Sequence, residues 1–488
     1  MKNRILLTYF ALLLMGIHSH AQSDAPLPCG TSMGISPWLR HFQQTIEGRP
    51  RNFSIKSLPL QVHVVGTDEG AGYMPINTVL RSFCTLNNDF AQADIQFYQA
   101  GPIHYINNSE YYEHDFWGGI QMMNEHNVPG AINCYIVEDA AGNCGYYVPG
   151  DDGVVLAKGC TQPNDHTWAH EVGHFLSLPH PFFGWEWADS HNYNNPAPAD
   201  WDGWPVEKVD GSNCQEAGDG FCDTAPDYLN YRWNCTIDNV SSVLQTDPDG
   251  QTFVSDGTLF MSYSNPFCKS RFSADQIAAM HANVEEERPD LMDNILIPST
   301  IDIEPITDIT VISPEPDVPI TTAQVLLEWE PLENATHYVV QVNPFSLFSI
   351  VFNEFVVDEP RLLFDNLQPN RTFYWRIFPF NSHNSCVGFS VASTFQTGFI
   401  TDVDDFSDED ATIKIFPNPA DGINGCTYSW PHLTTATLRL TDVSGKEVGY
   451  YPEVNTPFHV PTTALADGMY FLQIEQGNKK WIRKLVIH

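Results

Sequence analysis

Apolar and polar residues alternate over several short stretches of the chain, and this two-residue period predicts β-strands. Residues 60–65 form such a stretch, and residues 77–90 then show the longer period of a helix. A second helix is predicted over residues 273–287, with Ser273 as its N-cap. The pattern therefore predicts a mixed α/β region in the first part of the chain.

The second half of the chain has only strand-like stretches, separated by turn residues. This pattern predicts two all-β sandwich domains, at residues 303–398 and 410–488. The predicted strands are residues 324–330, 337–342, 361–364, 372–378, 413–419, 438–446, 468–474 and 481–487.

The N-terminus has the composition of a secretory signal peptide. Lys2 and Arg4 precede an apolar run over residues 5–17, and the small residue Ala21 marks the expected cleavage site, which gives a signal peptide of residues 1–21. No later apolar run is long enough for a transmembrane helix, so no membrane span is expected. Export also permits disulfides.

The chain has eleven cysteines, an odd number that suits a few local disulfides rather than a disulfide scaffold. Their pairing cannot be deduced from the sequence. A bond between Cys235 and Cys268 is plausible, because the insertion over residues 181–258 has little periodic structure to hold it in place.

The strongest chemical signal is the segment His-Glu-Val-Gly-His-Phe-Leu-Ser-Leu-Pro-His over residues 170–180. On a helix, His170 and His174 lie one turn apart and can bind the same metal ion. Pro179 ends the helix, so His180 must return from a loop as a third ligand. Three imidazoles with an open position are typical of catalytic Zn²⁺, and Glu171 is placed to act as the general base of a hydrolase.

This extended motif resembles that of the metzincin peptidases. Residues 259–264 resemble the methionine turn of that group, which implies an apolar floor at Met261 and an oxyanion-stabilising role for Tyr263. Residues 218–227 resemble a segment of the pappalysin-like (cytophagalysin) branch. The resemblance implies an α/β metzincin-like catalytic domain over residues 56–295, with a mixed sheet and an active-site helix. It also implies a zinc metalloendopeptidase that acts on proteins or peptides.

One position departs from the metzincin pattern, because Ser177 stands where glycine is expected. Glycine suits a turn with positive φ, where a side chain costs roughly 1 kcal/mol. A shifted turn would affect His180 first. Another histidine, His63, lies on a predicted strand far from the motif and is interpreted as a strand histidine rather than a ligand.

Cys29 lies between the signal peptide and the catalytic region. Residues 27–31 (Leu-Pro-Cys-Gly-Thr) resemble the start of pro-segments in this group, which implies a pro-segment over residues 22–55. The Cys29 thiolate would occupy the open zinc position until cleavage near Arg49 or Arg51 releases the pro-segment. An ordinary disulfide at Cys29 is an equally open alternative.

The formal net charge is −37, from 60 acidic against 23 basic residues. This excess argues against nucleic acid or an anionic membrane as partners. It is compatible with structural Ca²⁺, because hard oxygen ligands on loops suit that ion. The candidate calcium ligands are Asp219, Asp223, Asp227, Asp247 and Asp249. We also expect the protein to be a monomer.

Both predicted sandwiches resemble known domains. Trp329, Tyr338 and residues 374–376 resemble a fibronectin type III domain, whose relatives are mostly spacers or weak binding modules. The strands from residue 413 onward, with Lys484 on the last one, resemble the C-terminal sorting domain of the type IX secretion system. This implies the type IX machinery as a partner and a location outside the cell or on its surface.

Two other functions are compatible with the sequence. One is a catalytically inactive, zinc-bearing adhesin that binds through its sandwich domain and an aromatic loop. Intact Glu171 argues against it, because a scaffold has no use for a general base. The other is zinc-dependent hydrolysis of a different amide. The aromatic residues of that loop are Trp185, Trp187, Trp201 and Trp204.

Overall fold

The computed structural model describes most of the chain and divides it into two compact units. Unit 1 comprises residues 1–315, 326–362 and 373–394, and unit 2 comprises the rest. The predicted signal peptide and the expected cleavage sites at Arg49 and Arg51 lie outside the described residues. Those described are 27–31, 34–46, 53–186, 188, 192–193, 195–292, 302–315, 318–320, 324–398, 414–416, 420, 425–429, 435–442, 446–463, 465–466, 468–476 and 479–487.

The first part of unit 1 is built on a six-stranded mixed sheet of order β2-β1-β5-β8-β7, in which β3 also pairs with β1. The pairs of β1 with β2, β3 and β5, and of β5 with β8, are parallel. The edge strand β7 is antiparallel to β8. The strands are β1 (Lys56–Gly66), β2 (Ile95–Gln99), β3 (His104–Asn107), β4 (Glu113–His114), β5 (Ile132–Val137), β6 (Asp139–Ala140), β7 (Gly145–Val148) and β8 (Gly153–Ala157).

Six α-helices accompany this sheet among the described residues, and the two that the sequence predicted are present. α2 corresponds to residues 77–90, and α6 to residues 273–287 with Ser273 as its N-cap in a capping box. The helices are α1 (Pro37–Thr45), α2 (Ile76–Phe90), α3 (Ser109–Tyr112), α4 (Phe116–His126), α5 (Thr167–Phe175) and α6 (Ala274–Glu286).

One large apolar core joins the sheet to its helices. Leu58, Leu60 and Val62 of β1 contribute to it, and so do Trp168 and Phe175 of α5. β1 is buried along its whole length, as expected for a strand covered on both faces. This core fixes α5, which carries the metal-binding motif, against the sheet.

The long insertion after α5 contains only short strands. They pair as two small hairpins, β9 with β10 and β11 with β12. Its aromatic side chains pack on one another, with the ring centroids of Trp185 and Trp201 4.9 Å apart and those of Trp185 and Tyr228 4.7 Å apart. The strands are β9 (Asp200–Trp201), β10 (Trp204–Pro205), β11 (Gln245–Thr246) and β12 (Thr252–Phe253).

The following strands form two sheets, of orders β13-β14-β17 and β16-β15-β18-β19. Trp329 lies between them, with its ring centroid 5.2 Å from that of Tyr338 and 5.8 Å from that of Trp375. A buried aromatic cluster of this kind is typical of a β-sandwich. The strands are β13 (Val311–Ser313), β14 (Val325–Trp329), β15 (His337–Asn343), β16 (Asn353–Val357), β17 (Arg361–Phe364), β18 (Thr372–Phe380) and β19 (Ser393–Gln396).

The C-terminal part of unit 2 contains two further sheets, of orders β20-β21-β24 and β23-β22-β25-β26. Its core consists of alternating side chains such as Leu438, Leu440, Leu472 and Ile474. The strands are β20 (Lys414–Phe416), β21 (Cys426–Ser429), β22 (Thr435–Asp442), β23 (Glu447–Asn455), β24 (Phe458–Val460), β25 (Gly468–Gln476) and β26 (Lys479–Ile487).

Four disulfides are formed, and the predicted bond between Cys235 and Cys268 is one of them. The others are Cys84–Cys386, Cys144–Cys160 and Cys214–Cys222. None of the helices in the described part of the chain is both long and apolar enough to cross a membrane.

Candidate metal centre

The three histidines of the motif converge at the C-terminal end of α5. Their Nε2 atoms lie 3.2 Å (His170 to His174), 3.1 Å (His174 to His180) and 3.3 Å (His170 to His180) apart. All three side chains are buried. We call these residues the histidine cluster.

Backbone carbonyls orient two of these imidazoles. His170 Nδ1 lies 2.8 Å from the carbonyl oxygen of Phe260, and His174 Nδ1 lies 2.7 Å from that of Leu178. A carbonyl only accepts hydrogen bonds, so each Nδ1 carries the proton and each Nε2 presents a lone pair to the cluster. Burial lowers the pKa of all three imidazoles, that of His180 to about 3, so they are neutral at neutral pH.

Three facing lone pairs repel one another unless a cation lies between them. Among the residues that the structure describes, the histidine cluster and Cys29 form the only group of ligand atoms close enough to hold a metal ion, all within 4.8 Å of one another. Buried imidazole and thiolate ligands suit Zn²⁺. The donor set therefore fits the predicted metal.

The turn after α5 brings His180 to the other two histidines. The amide of Ser177 donates to the carbonyl of His174, and the amide of Leu178 donates to that of Gly173, which is the Schellman pattern of a helix end. Ser177 has a φ of 79°, the left-handed conformation that glycine normally provides. The serine therefore adopts the turn without displacing His180.

The predicted methionine turn lies directly against α5. A Cβ at Gly173 would be 2.4 Å from the sulfur of Met261, so only glycine lets the methionine come this close. Tyr263 is also at the cluster, with its ring centroid 4.9 Å from that of His180. Its hydroxyl donates to the carbonyl oxygen of Cys29 at 3.2 Å.

Glu171 is fully buried beside the histidine cluster. Gly145 of β7 makes room for it, since a Cβ there would be 2.8 Å from Glu171 Cγ. Burial raises the pKa of the Glu171 carboxyl to about 8, although hydrogen bonds from Cys29 and Thr31 lower it in part. Among the described residues, its other oxygen, Oε1, has no hydrogen-bond partner. The side chain is thus held beside the histidine cluster with one oxygen directed away from other protein groups.

Cys29 is a free, buried thiol at the metal centre, so the alternative of a disulfide at this residue is wrong. Its Sγ lies 3.6 Å from His174 Nε2 and 3.5 Å from Glu171 Oε2. Thr31, to which the sequence analysis gave no role, donates its hydroxyl to Glu171 Oε2 at 3.0 Å. The short Cys-Gly-Thr segment thus contacts both the metal ligands and the buried carboxylate.

The residues around Cys29 pair with the edge of the sheet. The amide of Cys144 donates to the carbonyl of Leu27 at 2.7 Å, and the amide of Gly30 donates to that of Gly145 at 2.9 Å. Leu27 and Asn143 form a parallel bridge. Residues 27–31 therefore lie along the edge strand β7, across the entrance to the histidine cluster.

A cavity of about 710 Å³ opens beside the cluster. Acidic and aromatic side chains line it, among them Glu186, Asp200 and Trp204. Glu186 Oε1 lies 3.5 Å from His180 Nδ1, a contact within the segment after α5 that sequence reasoning missed because this segment has no regular period that fixes side-chain directions. The guanidinium of Arg40, on α1, lies 5.7 Å above the Trp204 ring.

The five aspartates proposed as calcium ligands do not come together as a metal site in the described part of the chain. Asp223 bonds the hydroxyl of Ser273 at the start of α6. Asp247 accepts from the amides of residues 249 and 251 in a turn. Asp219 and Asp227 are buried and accept from Thr224 and Ser255, respectively. His63, as predicted, is a buried strand residue, bonded to Asn133 and His104.

Comparisons with known proteins add to this description. Residues 414–488 match the family of secretion system C-terminal sorting domains. This match indicates export to the cell surface or beyond. The chain has no match among the curated proteins.

Two solved structures resemble parts of the chain. A variant of promirolysin from Tannerella forsythia is 17% identical, with a TM-score of 0.38, over 54% of this chain and 97% of the other. The fn3 domain of human collagen alpha-1(XX) chain is 22% identical, with a TM-score of 0.15, over 21% of this chain and 93% of the other.

Proposed function

We propose that this protein is an exported zinc endopeptidase of the pappalysin-like metzincin type, made as an inactive precursor. The observation that carries the proposal is the set of three buried Nε2 lone pairs within 3.3 Å of one another, next to a buried carboxylate. His170, His174 and His180 would hold the zinc. When bound, zinc supplies a Lewis acid that polarises the scissile carbonyl and makes a water molecule more acidic.

Glu171 acts as general base and then as general acid in this mechanism. It takes a proton from the attacking water and delivers it to the departing amine. Its raised pKa makes the carboxylate a stronger base than an ordinary glutamate, which favours the first of these steps.

Tyr263 stabilises the oxyanion in the same proposal. Its hydroxyl now donates to a backbone carbonyl of the segment in front of the metal centre. A substrate carbonyl in that place would receive the same hydrogen bond, and the bond strengthens as negative charge develops.

Residues 27–31 keep the precursor silent. Cys29 supplies the fourth zinc ligand, and the hydroxyl of Thr31 hydrogen-bonds the general base, Glu171. The backbone of these residues covers the edge strand β7, along which a substrate would lie. Leu39 and Phe42 of α1, a helix within the expected pro-segment, are fully buried in the catalytic core. A cut near Arg49 or Arg51 would therefore activate the enzyme fully only after the severed segment has dissociated.

The acidic cavity favours substrates with a basic residue near the scissile bond. Glu186, Asp200 and Asp202 supply negative charge, and the chain's own Arg40 already lies over Trp204 at its wall. A substrate guanidinium would gain the same ion pairing and cation–π contact.

The function is tested with the full chain after a limited cut in the pro-segment, using denatured casein as substrate. We expect cleavage by the wild type, none after zinc chelation, and none by Glu171→Ala. The uncut Cys29→Ala variant should be more active than the uncut wild type. A folded, zinc-loaded wild type that is inactive after the severed segment has been removed would contradict the proposal and favour the adhesin alternative.

Type IX secretion and structural calcium also remain predictions. Loss of export after deletion of residues 410–488 in a host with that system would support the first. A calcium-dependent rise in Tm of the purified chain would support the second.

A further inference from the structure

α2 has two apolar faces, and only one belongs to the core of the mixed sheet. Val79, Phe83 and Leu86 pack into that core. Ile76 and Leu80, one helical turn apart, instead join a separate cluster with side chains from the second sheet of the sandwich. The sandwich members of that cluster are Val339, Phe378 and Phe380.

Polar and covalent contacts surround this cluster. Cys84, one turn after Leu80, forms a disulfide with Cys386. The hydroxyl of Ser385 donates to the carbonyl of Leu80 at 2.9 Å, in a buried position. The amide of Gln99, at the end of β2, donates to the carbonyl of Ser382 at 2.8 Å. The contact thus combines an apolar centre, buried hydrogen bonds and a covalent link.

The other side of α2 supports the active-site helix. The rings of Phe83 and Trp168 are 5.8 Å apart, and Trp168 lies two residues before His170. Asp89, near the end of α2, pairs with His166 at 2.8 Å, directly before α5 begins. α2 is therefore packed between the sandwich sheet and the helix that carries the metal ligands.

We propose that the β16-β15-β18-β19 sheet is a permanent structural part of the catalytic domain and not a spacer. It covers the Ile76 and Leu80 face of α2, which would otherwise be exposed apolar surface, and so holds α2 against α5. Burial of these two aliphatic side chains stabilises the contact, so the contact should persist without the disulfide. That contribution concerns folding and does not rest on the proposed function.

The first experiment distinguishes two pieces joined only by the disulfide from two pieces held together by a stable noncovalent contact. A sequence-specific protease site is inserted between the exposed residues Glu304 and Pro305 of the full chain, in a Cys84→Ser/Cys386→Ser background. After complete cleavage, we expect the two pieces to elute together in gel filtration. Separate elution would overturn the proposal, because only the disulfide would then have joined them.

A second experiment tests the cluster itself in the uncut chain. Leu80→Asp should lower Tm by about 5 °C or more, because it buries a charge in the contact. Leu347→Asp, at a side chain of the sandwich that is 75% exposed, is the matched control and should shift Tm by less than about 1 °C. Equal shifts in the two variants would contradict the proposal. Should Leu80→Asp fail to fold, the cleavage experiment still decides.

Neither experiment measures turnover. An inactive enzyme with a persistent contact would reject the proposed function alone, and an active enzyme whose pieces separate would reject this inference alone.

Discussion

The sequence suggested two groups of ionisable side chains as metal sites, and they differ in the structure. One is the histidine cluster. The other, which we call the acidic loops, consists of Asp219, Asp223, Asp227, Asp247 and Asp249. In the histidine cluster, the Nδ1 atoms of His170 and His174 lie against backbone carbonyls while the Nε2 atoms face one another. In the acidic loops, the aspartates already accept from amides and hydroxyls of their own turns and helix ends.

The difference shows what distinguishes a metal site from a polar cluster. Ligand atoms at a metal site converge on one point, whereas aspartates that cap turns and helix ends point their oxygens at separate amides and hydroxyls. Spacing in the sequence predicts the first arrangement only when a helix fixes the directions of the side chains, as α5 does for His170 and His174.

The largest expected effect is the loss of activity in Glu171→Gln. The substitution keeps the shape of the side chain but removes the base, so kcat of the activated enzyme should fall by about 10³-fold or more. Asp223→Asn, in the acidic loops, is the matched control and should keep activity within about 2-fold. Similar losses in the two variants, measured on a peptide substrate, would break the distinction between the two groups.

Once the segment that carries Cys29 has been removed, zinc binding should depend on the histidine cluster alone. His180→Ala removes one of three protein ligands, so bound zinc measured by mass spectrometry should drop from one equivalent to a small fraction. His126→Ala, at a half-buried histidine outside the cluster, should keep its zinc. Full zinc occupancy in His180→Ala would mean that another residue supplies the third ligand.

The pH dependence of stability in Asp227→Asn tests whether this buried aspartate of the acidic loops binds a metal ion. Burial raises its pKa to about 7, against 3.8 in the unfolded chain. The folded state thus favours the protonated carboxyl, and this contribution to stability is complete below about pH 4 and is lost as pH rises through 7. Asp227→Asn should therefore unfold at about the same denaturant concentration as wild type near pH 3.5, and be more stable than wild type by about 3–5 kcal/mol at pH 8.5.

A bound calcium ion would reverse the sign of that result. The ion would stabilise the ionised carboxylate, so Asp227→Asn would be less stable than wild type at pH 8.5 in calcium. Denaturation with calcium and with a chelator distinguishes the two outcomes.

The smallest effect is expected at the turn that delivers His180. Ser177 has a positive φ, and its buried hydroxyl has no hydrogen-bond partner in the part of the chain that the structure describes. Ser177→Gly removes both costs and should raise the free energy of unfolding by about 1 kcal/mol. Ser177→Ala, which keeps the Cβ, should gain less. A loss of stability in the glycine variant would mean that the hydroxyl is needed in the turn.

Local signals in the sequence predicted those parts of the molecule that are determined locally. The capping box at Ser273, the end of α5 before Pro179 and the positive φ at position 177 each depend on a few neighbouring residues. The convergence of the three histidines followed from the same kind of signal.

Contacts between distant segments could not be predicted in this way. The role of Thr31 depends on the place where residues 27–31 meet β7, which no local pattern encodes. The sequence of α2 does not show that its second apolar face has a separate partner. That partner, formed by Val339, Phe378 and Phe380, lies hundreds of residues away in the chain. The hydrogen-bond partners of the acidic loops could not be predicted either, because a sequence shows the carboxylates but not the distant donors that reach them.

The bond between Cys84 and Cys386 also constrains the order of events during biosynthesis. The two cysteines are 302 residues apart, so the first must wait for most of the chain to be synthesised and exported before its partner arrives. During that time Cys84 is open to mispairing with nearer thiols such as Cys144 or Cys160. Oxidative folding of this protein should therefore depend on a disulfide isomerase in the compartment that receives the chain, more than the four bonds among the described residues suggest.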